Sequence, residues 1–176
     1  MNFKAAIRKM IFILLSIFIF IAVFGLTIGQ KISYEFSDYN ISRKFYEIVF
    51  YGLPLSILLT LIATLERDNA LIKNISIIAL TIVVAIYSVI YQLWNLFTIG
   101  FGDWSDMLTI YESKDNSKIR IVKQEYDVGA LGYGGERIVK LTPYLGLFSK
   151  VEIIDTSQID KSKWILVNKE GNVHFP

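Results

Sequence analysis

The stretch MIFILLSIFIFIAVFGLTIG, residues 10–29, decides how the rest of the chain is to be read. It contains twenty consecutive residues without a charge. At about 1.5 Å of rise per residue, such a helix is roughly 30 Å long, the thickness of a bilayer's hydrocarbon core. Lys4, Arg8 and Lys9 precede it, as basic residues precede a secretory signal. The apolar run nevertheless exceeds the roughly 7–15 residues of a signal h-region, and no A-x-A cleavage site follows. The expectation is an uncleaved signal anchor.

Two further runs of the same kind follow. Residues 45–65 form the second expected span, uncharged from 48 to 65, with Pro54 expected to bend it because proline removes a backbone donor and crowds the preceding turn. Residues 75–101 form the third, long enough to tilt. The polar connector 66–73 joins the two as a hairpin. With the N-terminus inside, the cytoplasmic segments carry Lys4, Arg8, Lys9, Arg67 and Lys73, and the outer loop carries Lys31, Arg43 and Lys44. The positive-inside rule prefers that arrangement. Tyr34, Tyr39, Tyr46, Tyr51, Tyr87, Tyr91, Trp94 and Trp104 gather in the outer loop or towards that same membrane face, where tyrosine and tryptophan favour the headgroup level. The C-terminal part is therefore expected outside the cytoplasm.

Composition agrees with partial solvation by lipid: 53% of the 176 residues are apolar. The net charge of +2 is spread thinly, so the chain offers no electrostatic footprint for nucleic acid. The absence of cysteine excludes disulfides, thiol chemistry and Cys-based zinc sites. The 28 Ile against 8 Ala, and 13 Lys against 5 Arg, are the bias of an AT-rich genome and point to a bacterial source.

Gly52, Ser56, Thr60 and Thr64 recur at i, i+4 on the second span, one face on which helix backbones can approach closely and hydroxyls bond across. Gly25 and Gly29 make a single GxxxG in the first span, and Thr81, Ala85, Ser88, Gln92 and Asn95 share a face of the third. These are read as helix packing rather than as a transport path, because no ionisable group stands at mid-membrane depth.

After residue 102 the pattern changes to short alternating runs. Strands are expected over 108–112, 118–124, 137–142 up to a break at Pro143, 145–154, 164–167 and 173–175, with turns at 113–117 and 169–172. The expected fold is thus three transmembrane helices, residues 1–102, followed by a small all-β module, residues 103–176, as a β-meander or open barrel. About 70 residues make a marginal core without disulfides. Ile32, Tyr34 and Phe36 alternate in the outer loop and are placed to lend the module an edge strand.

No residue pattern carries chemistry. The glycine cluster 129–135 lacks the Gly-Lys-Ser/Thr and following helix of a phosphate loop, and reads as a hairpin end. His174 is the sole histidine, too few for a zinc protease. Asp103 with Asp106, and Asp155 with Asp160, read as polar residues at a span exit and in a loop. No catalytic residue, cofactor or metal is assigned. The expected function is that of a non-enzymatic protein of the bacterial cytoplasmic membrane, its outer module binding a protein partner as an envelope-complex subunit or an immunity-type protein. Gly132, Tyr133 and Gly134 are the candidate contact, an adaptable tip carrying an aromatic ring. The bilayer is the other expected partner, and a homo-oligomer is compatible with the pattern. A membrane enzyme acting on lipid or envelope substrates, or a channel or transporter subunit, is the alternative.

Overall fold

The computed structural model describes residues 3–65, 70–98, 103–127, 133–155, 157 and 159–171. In chain order these form α1 (Phe3–Thr27), β1 (Tyr34–Phe36), α2 (Tyr39–Thr64), α3 (Leu71–Thr98), β2 (Asp103–Ser113), β3 (Arg120–Asp127), β4 (Tyr133–Tyr144), β5 (Phe148–Ile153) and β6 (Trp164–Glu170). The chain divides into two compact units, Met1–Lys31 with Lys44–Trp94, and Ile32–Arg43 with Asn95–Pro176. The sheet-bearing unit therefore takes in Ile32–Arg43 as well as the C-terminal part.

All three helices are long and apolar enough to cross a membrane. The protein is a membrane protein. Each helix starts before its uncharged run, and at α2 a local cap accompanies that extension into polar sequence. At α2 the Asp38 carboxylate accepts from the amides of Asn40 (2.7 Å) and Ile41 (3.3 Å), satisfying donors that a helix start leaves open. Pro54 lies within α2, which continues on both sides of it.

The helical unit packs around Ala22, Leu26, Val49, Leu53, Ile57 and Ala85. Two glycines set how closely α1 and α2 approach. A Cβ on Gly25 would lie 2.9 Å from the Phe45 ring, and one on Gly52 would lie 2.7 Å from the Phe18 ring. Each helix thus receives an aromatic ring of the other at a glycine, and the two pairs share one antiparallel register. Further along that register Arg8 donates to the Ala63 and Leu65 carbonyls at 2.9 and 2.6 Å. A cation there satisfies the open acceptors at the α2 C-terminus and opposes its dipole. Ser56 is buried, whereas Thr60 and Thr64 are half-buried and donate back to the carbonyls of Ile57 (2.6 Å) and Thr60 (2.9 Å). On α3, Ala85, Ser88 and Gln92 are buried.

The second unit is a six-stranded antiparallel open sheet in the order β1-β5-β4-β3-β2-β6. β2 to β5 form the meander; β6 returns beside β2, and β1, from between the first two helices, closes the far edge. Strands are longer than the sequence pattern suggests. β4 continues through Pro143 instead of breaking there, because β3 stops pairing at Leu141 and only β5 flanks the strand beyond. A residue without an N–H is tolerated where one side has no ladder. The expected strand 145–154 begins only at Phe148, since Leu145 (φ 51°) and Gly146 (φ 74°) make the β4–β5 turn. The expected strand 173–175 lies outside the described residues.

Candidate functional site

Alternation along the strands assigns each side chain a face. Arg120, Val122, Gln124 and Tyr126 point one way on β3. The register sets Arg137 against Gln124, Val139 against Val122 and Leu141 against both Arg120 and Val151. One end of this face is apolar: Val122, Val139, Leu141 and Val151 form the core. The other end is polar.

β2 joins that face through a bulge. Its register slips between Asp106 and Leu108, so Asp106 opposite Gln124 and Thr109 opposite Val122 both turn to the core side. A bulge inserts one residue and re-aims the side chains around it. The same kink brings the following chain close: the Gly171 amide donates to the Met107 carbonyl at 2.8 Å, and a Cβ at Gly171 would overlap the Asp106 carbonyl.

The sheet is curled, as one contact across it demonstrates. In a flat sheet β1 and β3 would stand three spacings apart, about 14 Å, beyond the combined reach of a glutamate and a glutamine. Yet Gln124 Nε2 lies 3.4 Å from Glu35 Oε2. The curled face encloses a cleft of about 260 Å³. Its walls come from the start of α2 (Ser37 to Asn40), from Trp104 and Asp106 on β2, and from Arg120, Gln124, Leu141 and Ser149.

Gln124, 2% exposed, is the hub of the cleft. Its amide donates to Asp106 Oδ1 at 2.8 Å as well as to Glu35, and its carbonyl accepts from Arg137 Nε at 2.8 Å. That orientation is dictated by its neighbours, because carboxylates only accept and a guanidinium only donates. Arg137 also pairs with Glu35 and lies 3.8 Å over the Trp104 ring, whose other neighbour is Tyr126 at 5.1 Å. Arg137 is thus held by a carboxylate, an amide and an aromatic face together, a cation–π contact strengthened by partial desolvation. Arg120 is different. Of its five N–H donors, one long bond of 3.4 Å to Asp106 Oδ2 is described, and the side chain is 34% exposed.

Glu35 and Asp106 are two carboxylates brought together from opposite ends of the sheet. Each is committed to an arginine and to Gln124, so the arrangement is a rigid, internally neutralised floor. No group of three metal-ligating side chains is found among the described residues. Outside the cleft, the other carboxylates serve local structure. The Ser157 amide holds the Asp155 carboxyl below its usual range, and the Ser162 hydroxyl and amide do the same to Asp160.

Of the residues singled out from sequence, Phe36, Tyr39, Trp104 and Asp106 line the cleft. Tyr133 opens β4 opposite Asp127, and Gly134 is the exposed residue where that register slips. Gly132 and His174 lie outside the described residues. The network residues Glu35, Trp104, Arg120, Gln124 and Arg137 carry no motif. Their signal in the sequence is limited to polar residues interspersed with apolar ones on the strand faces, as Arg120 and Gln124 are with Val122. No family model, curated protein or solved structure matches the chain.

Proposed function

We propose that this is a non-enzymatic recognition protein of the bacterial cytoplasmic membrane, whose sheet module binds a protein partner outside the cytoplasm. The N-terminus lies inside, as the basic residues around α1 and between α2 and α3 favour. The observation that carries the reading is Arg120. It lines a pre-shaped cleft and, among the described residues, spends a single long hydrogen bond on Asp106, beside a floor whose other charges are already committed. An arginine in that state is a ready donor to a partner's carboxylate, which it can grip through two parallel hydrogen bonds. Trp104 and Leu141 supply apolar walls for the stem of the same side chain. A volume of about 260 Å³ suits one anchoring side chain, below the roughly 300–1,000 Å³ typical of small-molecule sites.

The test places a photo-crosslinking residue at Asn40, exposed on the cleft rim, with Asn116 on the β2–β3 turn as the control. In cells, a discrete protein adduct is expected at 40 and not at 116. Arg120→Met should abolish it while leaving the fold intact, since a half-exposed pair of this kind contributes about 1 kcal/mol or less. An adduct that survives Arg120→Met, or one that forms at 116 instead, removes the cleft from the mechanism. Phosphatase and fluorescent-protein fusions after Pro176 test the orientation. An active phosphatase with a dark fluorophore is expected, and the reverse would turn the topology over.

A further inference from the structure

The opposite face of the sheet carries an aromatic and apolar patch. At the β1–β5–β4 end, the Tyr34 ring packs tilted against Tyr144 with ring centroids 5.0 Å apart, and Phe36 against Phe148 at the same spacing. The turn beyond continues the patch: Tyr144 is 47% exposed, Leu145 78% and Leu147 51%. Leu145 is unusual twice over. It sits at φ 51°, where only glycine and, less often, Asn or Asp are at ease, and it presents an apolar side chain to solvent. Leu145 and Gly146 both stand at positive φ in the three-residue turn between Tyr144 and Phe148. An apolar residue held there against its backbone preference points to a use for the side chain.

The geometry points to the β4–β5 turn as a membrane anchor: Tyr144, Leu145 and Leu147 seat in the headgroup–acyl boundary of the bilayer that the helices cross. Chain connectivity selects this occupant over others. β1 follows α1 after six residues and precedes α2 by two. The turn is fastened to this short link, because the Ser37 amide donates to the Leu147 carbonyl at 2.9 Å, one residue before the Asp38 cap of α2. Six extended residues span at most about 20 Å, so the turn is tied close to where the chain leaves and re-enters the membrane. Its chemistry matches that depth. Tyrosine rings with an apolar body and a polar edge favour the headgroup level, and leucines bury into the boundary beneath it. Lys31 and Lys44 bracket the link in sequence and suit anionic headgroups. The proposal does not depend on what occupies the cleft.

The chain has no cysteine, so a single one can be labelled anywhere. Full-length Leu145→Cys carrying an NBD fluorophore would be reconstituted in phosphatidylethanolamine–phosphatidylglycerol nanodiscs, beside Asp115→Cys on the exposed β2–β3 turn. At 145 we expect blue-shifted emission and loss of fluorescence when the lipids carry a nitroxide high on the acyl chain; at 115, water-like emission and no loss. Water-like emission at 145 overturns the proposal. So does blue-shifted emission that nitroxide lipids leave unquenched, which marks a protein contact such as a second copy. Leu147→Cys gives the same reading from a neighbouring position should the first variant fold poorly.

Discussion

Replacing Gln124 by leucine is the sharpest test of whether the polar floor holds the sheet module together. The volume changes little, so the cavity cost is small and the loss is one of hydrogen bonds. Two bonds of 2.8 Å disappear, one to the Asp106 carboxylate and one from the Arg137 guanidinium, with the longer contact to Glu35. Hydrogen bonds to charged groups are worth about 1.5–3 kcal/mol each, giving an upper bound of roughly 3–6 kcal/mol. Water recovers part of this, since the side chains of Arg137 and Glu35 are 18% and 21% exposed and that of Asp106 is 27% exposed. A loss of about 3 kcal/mol is expected. For a module of this size each kcal/mol moves Tm by about 4–8 °C, so the melt should fall by roughly 12–24 °C. Trp104, packed on Arg137, is the reporter: intrinsic fluorescence of the full-length protein, with Trp94 and Trp164 replaced by phenylalanine, follows this unit alone. Lys123→Ala breaks an exposed ion pair with Glu136 on the opposite face and should cost little. If Gln124→Leu melts within a degree or two of Lys123→Ala, the network is ornamental and the argument built on it fails.

The sheet should lose stability in acid. The Lys123 hydrogen bond holds Glu136 below its ordinary 4.5, and Lys150, then Lys140, does the same for Glu152. Depressed carboxylates stabilise the fold above their unfolded value and lose that contribution as pH falls through the folded one, so Tm should drop below about pH 4.5; a melt that rises on acidification refutes the assignment. In the helical unit, Gly52→Ala should cost about 1–3 kcal/mol by overpacking against Phe18, and the penalty should largely vanish in a Phe18→Ala background. Equal penalties in both backgrounds, measured as detergent melting points, would separate the two residues. Ser56→Leu should likewise lower the melting point more than Leu58→Phe, since Ser56 is buried and Leu58 is 40% exposed. Leu145→Asn should stabilise the module by up to about 1 kcal/mol by relieving the positive φ; a lower Tm would show that the leucine contributes to the fold itself.

The helices were legible because length and apolarity alone define a span, and no distant contact is needed to read them. The alternation after residue 102 revealed strands for the same reason. What escaped is what depends on pairing. The start of β2 read as a span exit and that of β4 as a glycine-rich hairpin end, because Asp103, Ser105, Gly134 and Glu136 have no strand preference of their own. The partner strand imposes the extended form. The Pro143 break failed likewise, since whether a proline interrupts a strand depends on which side of it is laddered. The site was hidden further still. The expected strand 118–124 alternates Ile119 and Ile121 with Arg120, and alternation alone does not say what Arg120 faces. In fact Ile121 is buried on one face while Arg120 turns to the cleft on the other.

The strand Tyr34–Phe36 shows why such a site defeats a reading along the chain. It is three residues long, it lies between two membrane helices, and its alternation alone marks it as an edge strand. Yet it gives each face of the sheet what that face needs. Glu35 turns inward to Gln124 and Arg137, about a hundred residues away, while Tyr34 and Phe36 turn outward to Tyr144 and Phe148. A one-residue slip against β5 would exchange the two sets, burying both rings among charges and exposing the carboxylate beside the apolar turn. The register is therefore fixed from both faces at once.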